Sequence, residues 1–168
     1  KVLLSCLEFI QPHPDQAVQI LAEQGLQRLV IMPYLLGHGK HATEEMEEVR
    51  GDLRANLPLV QLERTQGLGA DPRMADLVVE RVHDLDGVAP TPADGKGDVG
   101  ILLVKAGTKT QYDDCLWMQE LGQMVEQRLG MEYAVEVAQS HYGDPTMPAA
   151  AAKLVEERGV SFVVFVPY

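Results

Sequence analysis

The sequence predicts an α/β fold in which parallel sheets are flanked by helices on both faces. Two stretches, LVIMPYL and FVVFVPY, are continuously apolar rather than alternating, which is typical of strands buried on both faces of a parallel sheet. Each follows a helix-like segment that a glycine closes, Gly25 in one case and Gly159 in the other. The alternation of helix and strand along the whole chain supports the same fold class.

The chain also repeats itself. Residues 15–34 align without gaps on residues 149–168 and are identical at six positions, which include the glycine and a Pro-Tyr pair. Extended backward, the same offset pairs residues 1–8 with residues 135–142, so that Tyr142 stands where the first copy has Glu8. Residues 98–134 have no counterpart before the first residue, so we expect the chain to open inside one repeat and to close inside the next.

The elements are predicted from apolar periodicity and from the turn residues that bound each segment. Helices are predicted over residues 14–24, 43–56, 71–84, 110–129 and 147–158. Strands are predicted over residues 2–8, 28–35, 59–63, 99–105, 133–139 and 161–167. The domains are then a first repeat over residues 1–83, which lacks its first strand and helix, a Pro- and Gly-rich linker over residues 84–98, and a second, incomplete repeat over residues 99–168.

The charge and the cysteine content exclude several kinds of partner. A formal net charge of −11 would repel nucleic acid and anionic membranes over most of the surface, so we predict neither as a partner. Cys6 and Cys115 lie far apart without a C-x-x-C pair, which favours a reduced, cytoplasmic setting over a disulfide framework. No apolar run approaches the roughly 18 residues of a membrane span. A homo-oligomer and further domains of the same polypeptide are left open, because the chain looks cut at Lys1.

The loop GHGKH follows an apolar predicted strand and contains two of the five histidines, His38 and His41. Ligands of open parallel sheets collect at the carboxyl ends of strands, where Glu8 also closes a predicted strand. One carboxylate and two imidazoles are therefore predicted to converge, as a metal site of nitrogen and oxygen ligands requires. Glu44 shares a helical face with His41 and is a further candidate. The alternative that these histidines are only solvated stays open.

The acidic residues that open the second predicted helix have a simpler explanation than catalysis. Glu44, Glu45, Glu47 and Glu48 lie near its first turn, where carboxylates interact favourably with the helix dipole. Thr43 can cap the same helix through its hydroxyl group. We therefore assign Glu47 and Glu48 to a solvated face.

A rival motif overlaps the histidine loop. Gly37, Gly39 and Ala42 spell G-x-G-x-x-A after a strand and before a helix, and Glu63 ends the next predicted strand, as in a dinucleotide-binding unit. The bulky residues between the glycines weaken this interpretation, because a tight phosphate-binding turn needs small neighbours.

Five segments form a further pattern: CLEFIQPHPDQAV, AEQG, RLVIMPYLL, GKHATEE and ERTQGLGADPRMADLVVERV. Together they resemble the small class II chelatases, the sirohydrochlorin cobaltochelatase and ferrochelatase group. The resemblance covers most of residues 3–83 and, more weakly, residues 99–168. It implies a fold of chelatase-like repeats and the insertion of Co²⁺ or Fe²⁺, as a substrate, into a modified tetrapyrrole during cobalamin or sirohaem synthesis.

The resemblance also implies roles for individual residues. His41 would bind the metal with Glu8, both as catalytic residues, and Glu44 would contribute as a further ligand. Because His41 and Glu8 alone are too few, either His38 or a segment outside these residues would complete the ligand set. Lys40, Arg50 and Arg54 could offset the carboxylates of sirohydrochlorin.

One departure from the family leaves the activity open. The family's first strand ends in Gly-His-Gly-Ser, whereas ILLVKAGTKT has Lys105, Ala106 and Thr108 at three of these positions. In a permuted arrangement, residues 98–134 would complete the first domain, and Lys105 would then meet a substrate carboxylate beside His41. The leading interpretation is an enzyme, a metal chelatase of the lyase class; a noncatalytic metal- or tetrapyrrole-binding module and a dinucleotide-binding domain are the alternatives.

Overall fold

A computed structural model describes residues 1–37, 39–85, 99–107 and 115–168. The chain forms two compact units, which we call unit 1 (Lys1–Leu68) and unit 2 (Gly69–Tyr168). Among the described residues, no helix combines the length and the apolar character that a membrane crossing requires.

Unit 1 contains two helices and a parallel pair of strands. Its elements in chain order are α1 (Pro14–Ala22), β1 (Arg28–Ile31), a 3₁₀ turn (Lys40–Ala42), α2 (Glu44–Asn56) and β2 (Gln61–Arg64). Strands β1 and β2 run parallel, with Arg28 opposite Gln61 and Ile31 opposite Arg64. Among the described residues of this unit, the buried ones are Ala17, Val18, Met46 and Leu53 from the two helices and Pro33 after β1.

The strand predicted over residues 2–8 is wrong. Residues 1–6 carry no regular structure, and Val2 and Leu4 are 92% and 83% exposed. A strand exists only where a neighbour completes its hydrogen-bond ladder. In the described part of unit 1, the strand ladder joins β1 to β2 and does not reach these residues.

Unit 2 contains the larger core. Its elements are α3 (Pro72–His83), β3 (Val99–Lys105), α4 (Cys115–Leu129), β4 (Tyr133–Gln139), α5 (Met147–Glu156) and β5 (Phe162–Pro167). The sheet order is β4-β3-β5, and all pairs are parallel. Side chains of α3 and α4 pack on one face of the sheet around Ile101 and Leu103, and α5 packs on the other face around Leu102. The predicted fold class, parallel sheets with helices on both faces, is confirmed in this unit.

The grouping of α3 differs from the predicted domain boundary. The sequence assigned residues 71–84 to the first repeat, but Ala75, Val78 and Val82 are buried in the core of unit 2. These three residues form one apolar helical stripe, and α4 supplies the surface that covers it. Residues 86–98 of the predicted linker lie outside the described residues.

The permuted arrangement considered above is wrong, because both edges of β3 are occupied. β4 pairs with one edge and β5 with the other over nearly the full length of the strand. β3 therefore has no free edge with which to complete the sheet of unit 1.

The internal repeat is visible in the backbone, with one correction to its alignment. Gly25 and Gly159 both have positive φ, 79° and 69°, after equivalent helices. Upstream of these helices, the difference in residue number between the two copies is smaller by one, because α5 spans 10 residues and α1 spans 9. Phe9 therefore corresponds to Tyr142, since these two residues share a left-handed conformation. Glu8 corresponds to His141, and not to Tyr142 as predicted.

Candidate metal site

Three side chains of unit 1 converge at one point. Glu8, His41 and Glu45 each offer a ligand atom, and these atoms all lie within 4.8 Å of one another. Glu8 and His41 are exposed and Glu45 is partly exposed. The predicted meeting of Glu8 with the histidine loop is therefore present, even though Glu8 does not end a regular strand.

A tight turn presents Glu8. The amide of Cys6 donates a hydrogen bond to Pro12 O at 3.0 Å, and the amide of Ile10 donates to Glu8 O at 2.8 Å. Phe9 lies between Glu8 and Ile10 and has a left-handed backbone conformation, with φ of 67°. The turn holds the backbone of Glu8 while its carboxylate stays in solvent.

The 3₁₀ turn places His41 directly before α2. The amide of Ala42 donates to Gly39 O at 2.9 Å, and the Thr43 hydroxyl group donates to the same carbonyl oxygen at 3.2 Å. The predicted capping role of Thr43 is therefore wrong, since its hydroxyl group donates to the preceding turn and accepts no helix amide. The consequence is a stable turn that leaves the His41 ring at the start of the helix.

Glu45 joins His41 to Lys40. One carboxylate oxygen lies 2.5 Å from His41 Nδ1, and the other lies 3.1 Å from Lys40 Nζ. The hydrogen bond from His41, followed by that from Lys40, holds the pKa of the Glu45 carboxyl group below its usual value. Glu45 is therefore ionised at neutral pH, with His41 on one oxygen and Lys40 on the other.

The predicted metal ligands have different outcomes. Glu44 is exposed and does not belong to the converging group, and His38 lies outside the described residues. Glu45 was missed, although its spacing of four residues from His41 is the spacing that brings side chains together on a helix. The sequence could not decide between Glu44 and Glu45, because the choice depends on the 3₁₀ turn that precedes α2.

The predicted basic residues of α2 differ in their ion pairs. Arg50 pairs with Glu47 at 2.6 Å, while Arg54 makes no ion pair that the described residues reveal. Arg64 at the end of β2 was not predicted; its guanidinium group lies 3.4 Å from Ala42 O, directly after His41. Arg64 therefore places a guanidinium group beside the histidine turn, where it also pairs with Glu47 at 3.3 Å.

The geometry does not favour the dinucleotide motif. Twelve residues, numbers 32–43, separate the end of β1 from the start of α2, whereas the motif needs a tight turn from strand to helix. Glu63, the acidic residue of the motif, is held by Arg28 through two hydrogen bonds of 3.0 and 2.6 Å. Neither half of the motif has the geometry that the cofactor requires.

The corresponding edge of unit 2 has different chemistry. Lys105 is only 6% exposed and donates to Ala106 O and to Gln139 Oε1, each at 3.3 Å. The predicted role of Lys105 in binding a substrate carboxylate is not favoured, because its ammonium group is buried on these acceptors. His141 is exposed, and its Nδ1 atom lies 2.6 Å from Ser140 Oγ.

Comparison with known proteins identifies the family. The model of the CbiX family matches residues 1–85, which is half of the 168-residue chain. The chain belongs to the CbiX family. The CbiX match covers the whole of unit 1, including the three converging side chains, and confirms the resemblance predicted from the sequence.

Curated relatives of this CbiX chain are chelatases. A sirohydrochlorin ferrochelatase of Priestia megaterium is 30% identical over 102 residues, covering 61% of this chain and 36% of that protein. A sirohydrochlorin cobaltochelatase of Methanopyrus kandleri is 26% identical, covering 46% of this chain and 68% of that protein. A second cobaltochelatase, of Methanocaldococcus jannaschii, is also 26% identical, covering 48% of this chain and 73% of that protein.

Solved structures show the same fold. SirB from Bacillus subtilis with Fe³⁺ superposes with a TM-score of 0.78 at 18% identity, covering 98% of this CbiX chain and 61% of SirB. A multi-domain protein of Deinococcus radiodurans with structural similarity to chelatases gives a TM-score of 0.58 at 18% identity, covering 94% of this chain and 33% of its own. This chain thus spans only part of the ferrochelatase and of both structures.

Proposed function

We propose that this CbiX chain takes up Co²⁺ or Fe²⁺ at Glu8 and His41 and inserts the ion into sirohydrochlorin or a related tetrapyrrole. The observation that carries the proposal is the convergence of one imidazole and two carboxylates within 4.8 Å. Nitrogen and oxygen donors of this kind suit Co²⁺ and Fe²⁺. The names of the relatives, a ferrochelatase and cobaltochelatases, agree with both ions. A cytoplasmic place in cobalamin or sirohaem synthesis belongs to the same proposal.

The chemistry follows from the two residue types. The neutral His41 imidazole holds the divalent ion through a ring nitrogen. As the ion enters the macrocycle, two pyrrole N–H bonds break and both protons leave, so the charge balances. Glu8 accepts one proton, because its carboxylate is exposed beside the ion, and water takes the second.

The surroundings of the site favour an anionic substrate. Lys40 is on the same turn as His41, and its side chain remains 58% exposed although it pairs with Glu45. Arg64 contacts the backbone of the same turn. These cations supply local positive charge on a chain whose net charge is −11, and they suit the carboxylates of sirohydrochlorin.

A noncatalytic binding module is the second candidate. It is favoured by Ala106, which stands in unit 2 where the family pattern expects a histidine. Such a module would hold the metal or the tetrapyrrole without joining them, so turnover separates the two candidates.

Calorimetric titration with Co²⁺ tests the metal site. We expect His41→Ala to weaken binding at least about tenfold, because it removes the nitrogen donor of the cluster that the described residues form. His83→Ala is the matched control, since His83 is an exposed histidine at the end of α3 in unit 2. Equal affinity of His41→Ala and the wild-type protein would refute the metal role.

Absorbance spectroscopy of sirohydrochlorin mixed with Co²⁺ and the protein then tests insertion. The chelatase proposal predicts a faster spectral change than in protein-free buffer, and a slower change with Glu8→Gln. Binding of Co²⁺ without acceleration would favour the noncatalytic module.

A further inference from the structure

We propose that Glu45 is a positioning residue that fixes the His41 ring with its Nε2 atom free for the metal ion. The inference rests on the proposed uptake of metal at Glu8 and His41. It assigns to Glu45 a role distinct from that of a ligand and names the ring atom that binds.

The first step is the hydrogen bond between the two side chains. His41 Nδ1 lies 2.5 Å from Glu45 Oε2. An ionised carboxylate only accepts hydrogen bonds, so the proton between the two atoms belongs to Nδ1. A neutral imidazole with its proton on Nδ1 has its lone pair on Nε2. Glu45 therefore selects the tautomer that presents Nε2 as the ligand atom.

The second step is that Glu45 is itself held in place. Its other oxygen lies 3.1 Å from Lys40 Nζ, and its side chain is 21% exposed, against 52% for His41. It also lies in the first turn of α2, where the helix dipole stabilises a carboxylate. Both oxygens thus have donors, and the side chain has little freedom to turn toward an ion.

The third step concerns Glu8, the other carboxylate. Its side chain is exposed, and among the described residues it makes no ion pair or hydrogen bond. An ion that enters the cluster can therefore bind Glu8 without competition, whereas at Glu45 it would meet the Lys40 ammonium group and the His41 ring, which already lie against the two oxygens. The roles divide accordingly: Glu8 and His41 bind, and Glu45 orients.

The first test is nitrogen NMR of the His41 ring in metal-free, ¹⁵N-labelled protein under mildly alkaline conditions. We expect the wild-type ring to carry its proton on Nδ1 and Glu45→Ala to shift the population toward a proton on Nε2. Glu45→Gln should resemble the wild-type protein, because its amide oxygen still accepts the hydrogen bond. An identical tautomer in the wild-type protein and Glu45→Ala would overturn the inference.

The second test is Co²⁺ affinity, with Glu48→Ala as the control. Glu48 is an exposed glutamate one turn further along α2. Loss of an orienting partner weakens metal binding by about 10–100-fold, so we expect this loss for Glu45→Ala, recovery of most affinity in Glu45→Gln, and no change in Glu48→Ala. A loss in Glu45→Gln as complete as that in His41→Ala would make Glu45 a ligand and overturn the inference.

The two measurements separate this inference from the proposed function. If the wild-type protein does not bind Co²⁺, the proposed function fails. The proposal that Glu45 orients the His41 ring for metal binding then fails with it. The tautomer comparison would still decide whether Glu45 holds the ring. Circular dichroism of each variant checks that α2 remains folded.

Discussion

Phe9 and Tyr142 occupy equivalent turns of the two repeats and share a left-handed backbone conformation, with φ of 67° and 64°. For a residue other than glycine, this backbone conformation is about 1–2 kcal/mol less favourable than the right-handed one. Phe9 is 96% exposed, so its ring recovers little of this cost through packing. The turn that presents Glu8 is therefore strained at a position where no side chain is needed for the core.

Phe9→Gly tests this strain. Glycine adopts positive φ freely but raises the entropy of the unfolded chain, so we expect a net stabilisation of unit 1 between zero and about 1 kcal/mol. Phe9→Val should destabilise by about 1 kcal/mol, because a β-branched residue tolerates this conformation poorly. Urea unfolding followed by circular dichroism measures both changes.

Ile10→Gly is the control for Phe9→Gly. Ile10 is adjacent and 66% exposed, but its φ is not positive. Here only the entropic effect of glycine remains, and we expect a loss of roughly 0.5–1 kcal/mol. Equal losses from the two glycine substitutions would show that Phe9 is not strained.

Gly107→Ala should destabilise unit 2 selectively. A Cβ atom at this position would lie 1.3 Å from His141 O, so the backbone after β3 or after β4 would have to move. We expect a loss of about 3 kcal/mol, because two backbone segments cannot adjust as a flexible side chain would. Urea unfolding followed by the fluorescence of Trp117, the single tryptophan and a core residue of unit 2, measures the change.

Gly51→Ala is the matched substitution, and its expected effect on stability has the opposite sign. Gly51 lies inside α2, and an added Cβ atom would meet nothing within 4 Å. We expect a gain of about 0.5–1 kcal/mol in unit 1, because alanine is the better helix former. A destabilising Gly51→Ala, or a neutral Gly107→Ala, would contradict the respective local geometry.

The sequence predicted unit 2 better than unit 1 for a physical reason. Strands β3 and β4 have the predicted bounds, 99–105 and 133–139, because burial on both faces imposes a continuous apolar run. Residues 2–8 have a similar composition, but a strand also requires an adjacent strand with which to form hydrogen bonds. The sequence of one segment does not show whether such a strand lies beside it.

The candidate site was predicted in part. Glu8 and His41 were found because both were predicted to follow strands that end at one edge of a sheet, and the two side chains meet although residues 1–6 form no strand. The role of Glu45 could not be predicted, because the direction of its side chain relative to His41 depends on how the 3₁₀ turn joins α2. Side chains in a 3₁₀ turn repeat with a different period from those in an α-helix. The alignment of Glu8 with His141 depended on a single residue inserted in the helix of the second copy, which a gapless comparison cannot detect.

Asp71→Asn should remove a pH dependence of stability. Asp71 accepts hydrogen bonds from Arg73 N and from the Arg73 guanidinium group at 2.8–2.9 Å, which lowers its pKa to about 2. As the pH decreases from about 4 to about 2, the unfolded chain therefore takes up a proton that the folded chain does not. The free energy of unfolding decreases over the same change in pH. We expect the wild-type protein to be more stable than Asp71→Asn at neutral pH and this difference to vanish across that range. Urea titrations at several pH values measure it.

Arg73→Met is the complementary variant for Asp71. It removes the first cause of the lowered pKa while the carboxyl group stays, so the Asp71 side-chain carbon signal in NMR should titrate at a higher pH than in the wild-type protein. Since the Arg73 side chain is 88% exposed, added salt should reduce the effect. An unchanged midpoint in Arg73→Met would exclude this pair as the cause.

Tyr168→Phe should remove a tyrosine that ionises at unusually high pH. Burial, followed by the charge of Asp71, raises the pKa of Tyr168 to about 12. The hydroxyl group donates to Gly69 O at 2.9 Å, and the ring lies against Trp117 with centroids 5.6 Å apart. We expect the difference between the ultraviolet pH titrations of the wild-type protein and Tyr168→Phe to have its midpoint near 12.

The same shift has a consequence for stability. Above the usual tyrosine pKa of about 10, the unfolded chain releases the phenolic proton before the folded chain does, so stability falls as the pH rises toward about 12. Tyr168→Phe keeps the ring contact but loses the hydrogen bond, which should lower the free energy of unfolding by about 0.5–1.5 kcal/mol at neutral pH. Its alkaline slope should be shallower than that of the wild-type protein. Equal alkaline slopes would mean that Tyr168 ionises in the folded unit as it does in the unfolded chain.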